Sequence, residues 1–161
     1  MAGIGISSRG IWKNLDKMGF TTEKYKYPVP QLRSNLVRHF IRGLVDGDGS
    51  VNFGDSRRNH IDGVPYKNIS VTFCGCSFDI INFVNKTMNG YCHKSLSINT
   101  RPTDHGLAFY QVQYCGSSAY RVCKQLYKGA TVYMDRKYQN FLKMKNYYQH
   151  VETERETTAK Q

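Results

Sequence analysis

The sequence predicts an α+β domain with helices on one face of an antiparallel sheet, and three observations predict it. Apolar residues recur at helical spacing in some stretches and alternate with polar ones in others, giving the order α-α-β-β-α-β-β-α-α. The chain has 161 residues, enough for one domain with a real core. Twelve Tyr and eight Phe against one Trp point to a core rich in aromatic side chains.

Taken in order, Ser7 and Ser8 can cap a short helix over Arg9 to Met18, with Ile11, Leu15 and Met18 on one face and Gly19 as its stop. Residues 1–30 thus read as a helix and linker, 31–150 as the main domain and 151–161 as a flexible tail. Pro28 and Pro30 disfavour helix before them, and Gly47-Asp48-Gly49 suits a helix stop. Between lies Gln31 to Gly49, a helix of roughly four to five turns.

At roughly 100° per residue, Leu32, Leu36, Phe40, Gly43 and Gly47 form one strip of that helix. Val37, Ile41, Leu44 and Val45 form the adjoining strip, while Asn35, Arg38, His39, Arg42 and Asp46 hold the polar side. One apolar strip can cover the domain's own core and the other meet a second element. Glycine inside a helix costs about 1 kcal/mol relative to alanine. Two of them on one strip make sense where another backbone comes very close.

After Gly49 the period becomes alternating. Val51 and Phe53 share a face, residues 54–65 read as a loop or hairpin tip, and Tyr66 to Gly75 places Ile69, Val71 and Phe73 inward. Ser77 starts a helix to about Met88, stopped by Asn89-Gly90. Cys92 to Asn99 reads as a third strand and Leu107 to Cys115 as a fourth. Ser117-Ser118 caps a helix to about Tyr127, and Asp135 to Val151 forms a last, basic helix.

Ile41-Arg42-Gly43-Leu44-Val45-Asp46-Gly47-Asp48-Gly49 resembles the nine-residue signature of the LAGLIDADG homing endonucleases, with His39-Phe40 and Ser50-Val51 similar to its usual context. The resemblance covers roughly residues 31–148. It implies an αββαββα core with a saddle-shaped antiparallel sheet, to which the N-terminal helix is an addition. With one signature present, it implies a homodimer that supplies the second helix and acid by two-fold symmetry. It fits equally the second half of a two-motif protein.

Formal charge is +11, with 23 Lys and Arg against 12 Asp and Glu, which argues for a polyanionic partner. The resemblance makes that partner double-stranded DNA, bound without a small-molecule cofactor. No run of eighteen apolar residues exists and no signal peptide is evident, so the expectation is a soluble, intracellular protein without a membrane partner. The five cysteines suit reduced core thiols, and Cys74, Cys76, Cys92 and His93 match no usual zinc spacing.

All four strands carry a row of uncharged polar side chains. A solvated face has the same pattern, but Asn and Gln pair bidentately with adenine, Arg with guanine, and a two-stranded ribbon fits the major groove. Candidates for DNA contact are Asn52, Ser70, Thr72, Ser97, Asn99, Gln111 and Gln113, with Arg57, Arg58, Lys67, Lys94 and Arg101 on the rims.

Phosphodiester hydrolysis needs an activated water and charge neutralisation, which divalent metal supplies. Asp48, at a helix C-terminus that disfavours anions, is the candidate catalytic metal ligand for Mg²⁺ or Mn²⁺. The resemblance adds the Gly47 carbonyl as a second donor and Lys137 as a basic active-site residue, while Asp46, projecting from the opposite side of the helix, reads as structural. Leu36, Phe40, Gly43 and Gly47 are the candidate dimer interface. Cys74-Gly75-Cys76 departs from members with a water-positioning polar side chain there. A second class of function is therefore a relative that binds DNA or RNA without cleaving it, as a regulator or intron maturase.

Overall fold

The computed structural model describes residues 8–19, 23–61, 64–92, 96–103 and 106–158, with the side chains at 24, 57–61, 64–65 and 152–158 outside that description. Its helices are α1 (Arg9–Lys17), α2 (Ser34–Gly47), α3 (Phe78–Cys92), α4 (Ser117–Tyr127) and α5 (Asp135–Thr158). Its strands are β1 (Ser50–Ile61), β2 (Val64–Gly75), β3 (Asn99–Pro102) and β4 (Ala108–Cys115). The strands form one antiparallel sheet in the order β1-β2-β4-β3.

Alternation puts Val51, Ile69, Val71, Phe73, Val112 and Tyr114 on the helix side, all nearly or fully buried. They join Ile41 and Val45 of α2, Ile81, Val84 and Met88 of α3, Val122, Cys123 and Leu126 of α4, and Phe141 and Met144 of α5 in one core. Tyr114 keeps its hydroxyl satisfied there by donating to Asn85 Oδ1 at 2.9 Å, and Asn85 in turn donates to the Leu96 carbonyl at 2.8 Å. Tyr127 and Phe141 stack with ring centroids 5.2 Å apart, joining α4 to α5. Asn140 anchors α5 to the sheet by donating to the Val51 carbonyl at 2.9 Å.

Several sequence expectations shift. Most of residues 54–65 are strand: the pairing of β1 with β2 reaches Ile61↔Val64, with an irregularity between Asp55 and His60. Its polar composition reads as a loop, yet cross-strand pairing outweighs propensity there. Helix α3 runs through Asn89-Gly90 to Cys92, and the third strand begins only at Asn99. Gly116, at φ 59°, is the N-cap of α4 in place of a serine. The expected tail is helical to Thr158. Helix α1 is capped by Ser8 and buries none of its residues.

Candidate functional site

Two faces of α2 meet different surroundings. Ile41 and Val45 are fully buried in the core, whereas Leu36 is 46 % exposed and a Cβ added to Gly43 or Gly47 would meet nothing within 4 Å. Phe40 is half-buried against Phe83. The glycine strip is therefore open on this chain. Arg42, expected on the polar side, is buried: its guanidinium donates to the carbonyls of Leu126 and Val132 at 3.0 Å each, closing the end of α4 and the segment after it.

The C-terminal turn of α2 is held from several sides. The carboxylate of Asp46 accepts from the Tyr127 hydroxyl and from the backbone N–H of Met134, both at 3.2 Å, at the threshold of α5. The ammonium of Lys137, 2 % exposed, donates to the carbonyls of Val45 at 2.6 Å, Asp46 at 2.8 Å and Gly49 at 2.7 Å. A cation at the C-terminal end of a helix offsets its macrodipole. Burial pushes the pKa of Lys137 below the ordinary lysine value; Arg136 adds to this, and Asp46 and Asp48 oppose it.

Asp48 caps α2 with an exposed side chain. Its backbone carbonyl accepts from the Cys74 thiol at 3.1 Å. Burial, and secondarily the Asp48 charge, raise the pKa of that thiol. Beside them opens a cleft of about 470 Å³, lined by Leu44, Asp48, Phe73, Cys74, Cys76 and Ile80 among others. The linker reaches it too, since Ser77 donates to the Tyr27 carbonyl at 3.3 Å.

Strand register aligns the polar row. Ser50, Thr72 and Gln113 stand opposite one another; so do Asn52, Ser70 and Cys115; and Cys74, Gln111 and Asn99. Arg101 follows opposite Phe109. Asn52, Gln113, Asn99 and Arg101 are exposed, and Thr72 and Gln111 half-buried. Ser70 is only 2 % exposed and accepts from Asn52 at 3.4 Å, so its hydroxyl supports Asn52 and is not presented outward. Ser97 is exposed but precedes β3.

Lys67 departs from the expectation. It pairs opposite Asp55, on the same side of β2 as Ile69 and Val71, and its ammonium makes a salt bridge to Asp55 and lies over the Phe53 ring. The side chains of Arg57 and Arg58, and residues Lys94 and His93, lie outside the described ones. Cys115, exposed within the polar row, was hidden in the sequence among core-like neighbours. Among the described residues, no group of three or more His, Cys, Asp or Glu is placed to hold a metal ion. Nor is any described helix long and apolar enough to cross a membrane.

A signature helix ending in an exposed acid, on the helix side of a four-stranded antiparallel sheet with a polar outer face, is the LAGLIDADG homing-endonuclease fold, a DNA-endonuclease fold, and this chain has it. Two solved structures carry that statement. The group I intron-encoded homing endonuclease I-CeuI complexed with DNA matches 74 % of this chain and 56 % of its own, with a TM-score of 0.53 and 10 % identity. The I-LtrWI LAGLIDADG homing endonuclease bound to target DNA matches 74 % of this chain and 39 % of its own, with a TM-score of 0.50 and 15 % identity. The homing endonuclease I-CvuI is also similar, at 17 % identity over 69 % of this chain and 65 % of its own, with a TM-score of 0.44. This chain thus spans less than two thirds of each of these neighbours. Its sequence matches no family model and no curated protein.

Proposed function

We propose that the chain is a site-specific double-strand DNA endonuclease of the LAGLIDADG homing type that works as a homodimer with divalent metal. The observation that carries the reading is the open glycine strip of α2: Gly43 and Gly47 have free space above them, Leu36 is exposed, and Asp48 stands exposed at the end of the same helix. A second copy seated on that strip, with Phe40 at its margin, brings two Asp48 carboxylates together. Each protomer alone offers one carboxylate, which fits a site completed across the pair.

The chemistry of the donors suits Mg²⁺ or Mn²⁺. Asp48 contributes a hard carboxylate oxygen, and the neighbouring carbonyls already attract one cation, the ammonium of Lys137. That ammonium bonds to the carbonyls of Val45, Asp46 and Gly49 but not to that of Gly47, the proposed second donor. When bound, metal lowers the pKa of water and neutralises phosphate charge. Asp48 and Gly47 hold it, and Lys137 is the protein's own cation at the site.

DNA lies along the outer face of the sheet, in this reading. Asn52, Thr72, Asn99, Gln111 and Gln113 contact base edges, and Arg101 with Arg57 and Arg58 of β1 contacts phosphates. Ser70 steadies Asn52. Lys67, facing the other side and paired with Asp55, has no part in base reading.

The test begins with selection of a duplex from a randomised library by the purified protein, then cleavage of the winner in Mg²⁺. Asp48→Asn is expected to slow cleavage at least about 100-fold while binding stays within a few fold. Equal cleavage by the variant removes Asp48 from the chemistry. The non-cleaving relative is the second reading, favoured by Cys74 occupying the position beside Asp48; binding without cleavage by the wild-type chain selects it. A protein that stays monomeric on its DNA selects the two-motif fragment instead.

A further inference from the structure

Side chains from two other elements take the carbonyls on either side of Gly47. Lys137, from α5, donates to those of Val45, Asp46 and Gly49; Cys74, from β2, donates to that of Asp48. We propose that Lys137 and Cys74 are positioning residues that fix the last turn of α2, so that the Asp48 carboxylate and Gly47 carbonyl are held together facing outward, and that neither touches the reacting phosphate. The inference rests on the nuclease reading for its consequence but not for its geometry.

A lysine ammonium has three N–H donors and, while protonated, no lone pair. All three are engaged, at 2.6, 2.7 and 2.8 Å, on the protein's own backbone. Only 2 % of the residue is exposed, so a phosphate oxygen would have to displace one of these bonds inside the protein. As a base, the amine would have to lose a proton that a carbonyl already accepts. The same contacts suit a different task well.

Helix C-termini leave their last four carbonyls without intrahelical donors, and such ends fray. A metal ligand on a fraying turn is poorly placed, and a displacement of about 1 Å can cost about 100-fold in rate. Lys137 replaces water at two of these oxygens, those of Val45 and Asp46, and ties them through one cation to the Gly49 carbonyl just before β1. Cys74 ties a further one to β2, the strand that also carries Thr72 on the outer face. The acid is thereby registered against the sheet as well as against α5.

Amide hydrogen exchange reads the proposal without any cleavage. The N–H groups of Asp48 and Gly49 both donate to the Leu44 carbonyl, at 3.1 and 3.3 Å, and report on this turn. In Lys137→Met and in Cys74→Ala they are expected to exchange at least about tenfold faster than in the wild-type chain, with the amides of Val112 and Tyr114 unchanged. Cys74→Ser, which restores a donor, is expected to return them close to the wild-type rate.

In single-turnover cleavage of the selected duplex, both loss variants are expected to raise the half-saturating Mg²⁺ concentration and to slow the reaction, with DNA affinity in Ca²⁺ unchanged. Unaltered exchange at Asp48 and Gly49 in a folded variant overturns the proposal. So does loss of cleavage in Lys137→Met with an unchanged Mg²⁺ dependence, the result expected of a lysine that acts on the phosphate directly. Should Lys137→Met not fold, the Cys74→Ala and Cys74→Ser pair decides by the same readings. If the wild-type chain cuts no DNA, the nuclease reading fails while the exchange experiment still decides how the turn is held.

Discussion

A Cβ on Gly49 would stand 2.5 Å from the backbone oxygen of Thr72 and 2.8 Å from the Cα of Val45, so the end of α2 reaches β2 only because this residue has no side chain. Gly49→Ala must therefore push helix and strand apart. Overpacking of this kind costs about 1–3 kcal/mol. Urea unfolding is expected to show that loss; an unchanged midpoint would mean that the turn relaxes freely.

Gly43 makes the opposite forecast. An added methyl meets open space on this chain, and alanine is favoured over glycine inside a helix by about 1 kcal/mol. Gly43→Ala should leave the protomer as stable or slightly more so, and weaken self-association on DNA at least about tenfold, since a helix packed on the strip loses its close approach. Sedimentation of the variant with its duplex measures this. Wild-type association would place the partner elsewhere.

Alkaline pH should destabilise the core through two phenols. Burial raises the pKa of Tyr114, and burial together with the Asp46 carboxylate raises that of Tyr127. Each keeps its proton in the folded chain at a pH where the unfolded chain has lost it, so the folded state binds more protons above about pH 10. Stability from these groups is full below that pH and declines as pH rises beyond it. Tyr114→Phe should flatten the decline; an equally steep loss in the variant would trace it to other groups.

Thiol labelling should sort the cysteines by location. Cys115 is exposed on the outer face, and Cys92 and Cys123 are buried with burial raising their thiol pKa. A raised value means less thiolate at neutral pH, so their labelling is slow and speeds as pH rises. Prompt labelling of Cys115, with Cys92 and Cys123 reacting far more slowly until denaturant is added, is the expected pattern. Prompt labelling of Cys123 would contradict its packing.

What the sequence conveyed depended on how local the signal was. The faces of α2 followed from residue spacing because Ile41 and Val45 answer to a helical period whatever packs on them. The polar row was legible for the same reason in β2 and β4, where Thr72 and Gln113 sit two residues from their neighbours in the row. Long cationic side chains were not. Arg42 lies on a polar arc by angle and is buried because α4 ends beside it; Lys137 looks like one more base of a basic helix until α5 is laid against the tip of α2. The face that Lys67 occupies follows only from the pairing register. In residues 54–65 turn-forming residues are overruled by cross-strand pairing of β1 with β2, and at Asn89-Gly90 helix α3 runs on to Cys92, with Asn89 accepting from the Tyr114 hydroxyl.

The sheet order leaves β1 and β3 as outermost strands, each with unpaired backbone groups that would template the addition of a foreign strand. Neither is an inviting template. The ladder of β1 loses register between Asp55 and His60, and β3 is four residues long and ends on Arg101-Pro102. A bulge, a charge and a missing N–H are the features that interrupt strand-by-strand polymerisation. The polar outer face thus ends at edges that resist strand-by-strand addition of another chain while no partner covers it.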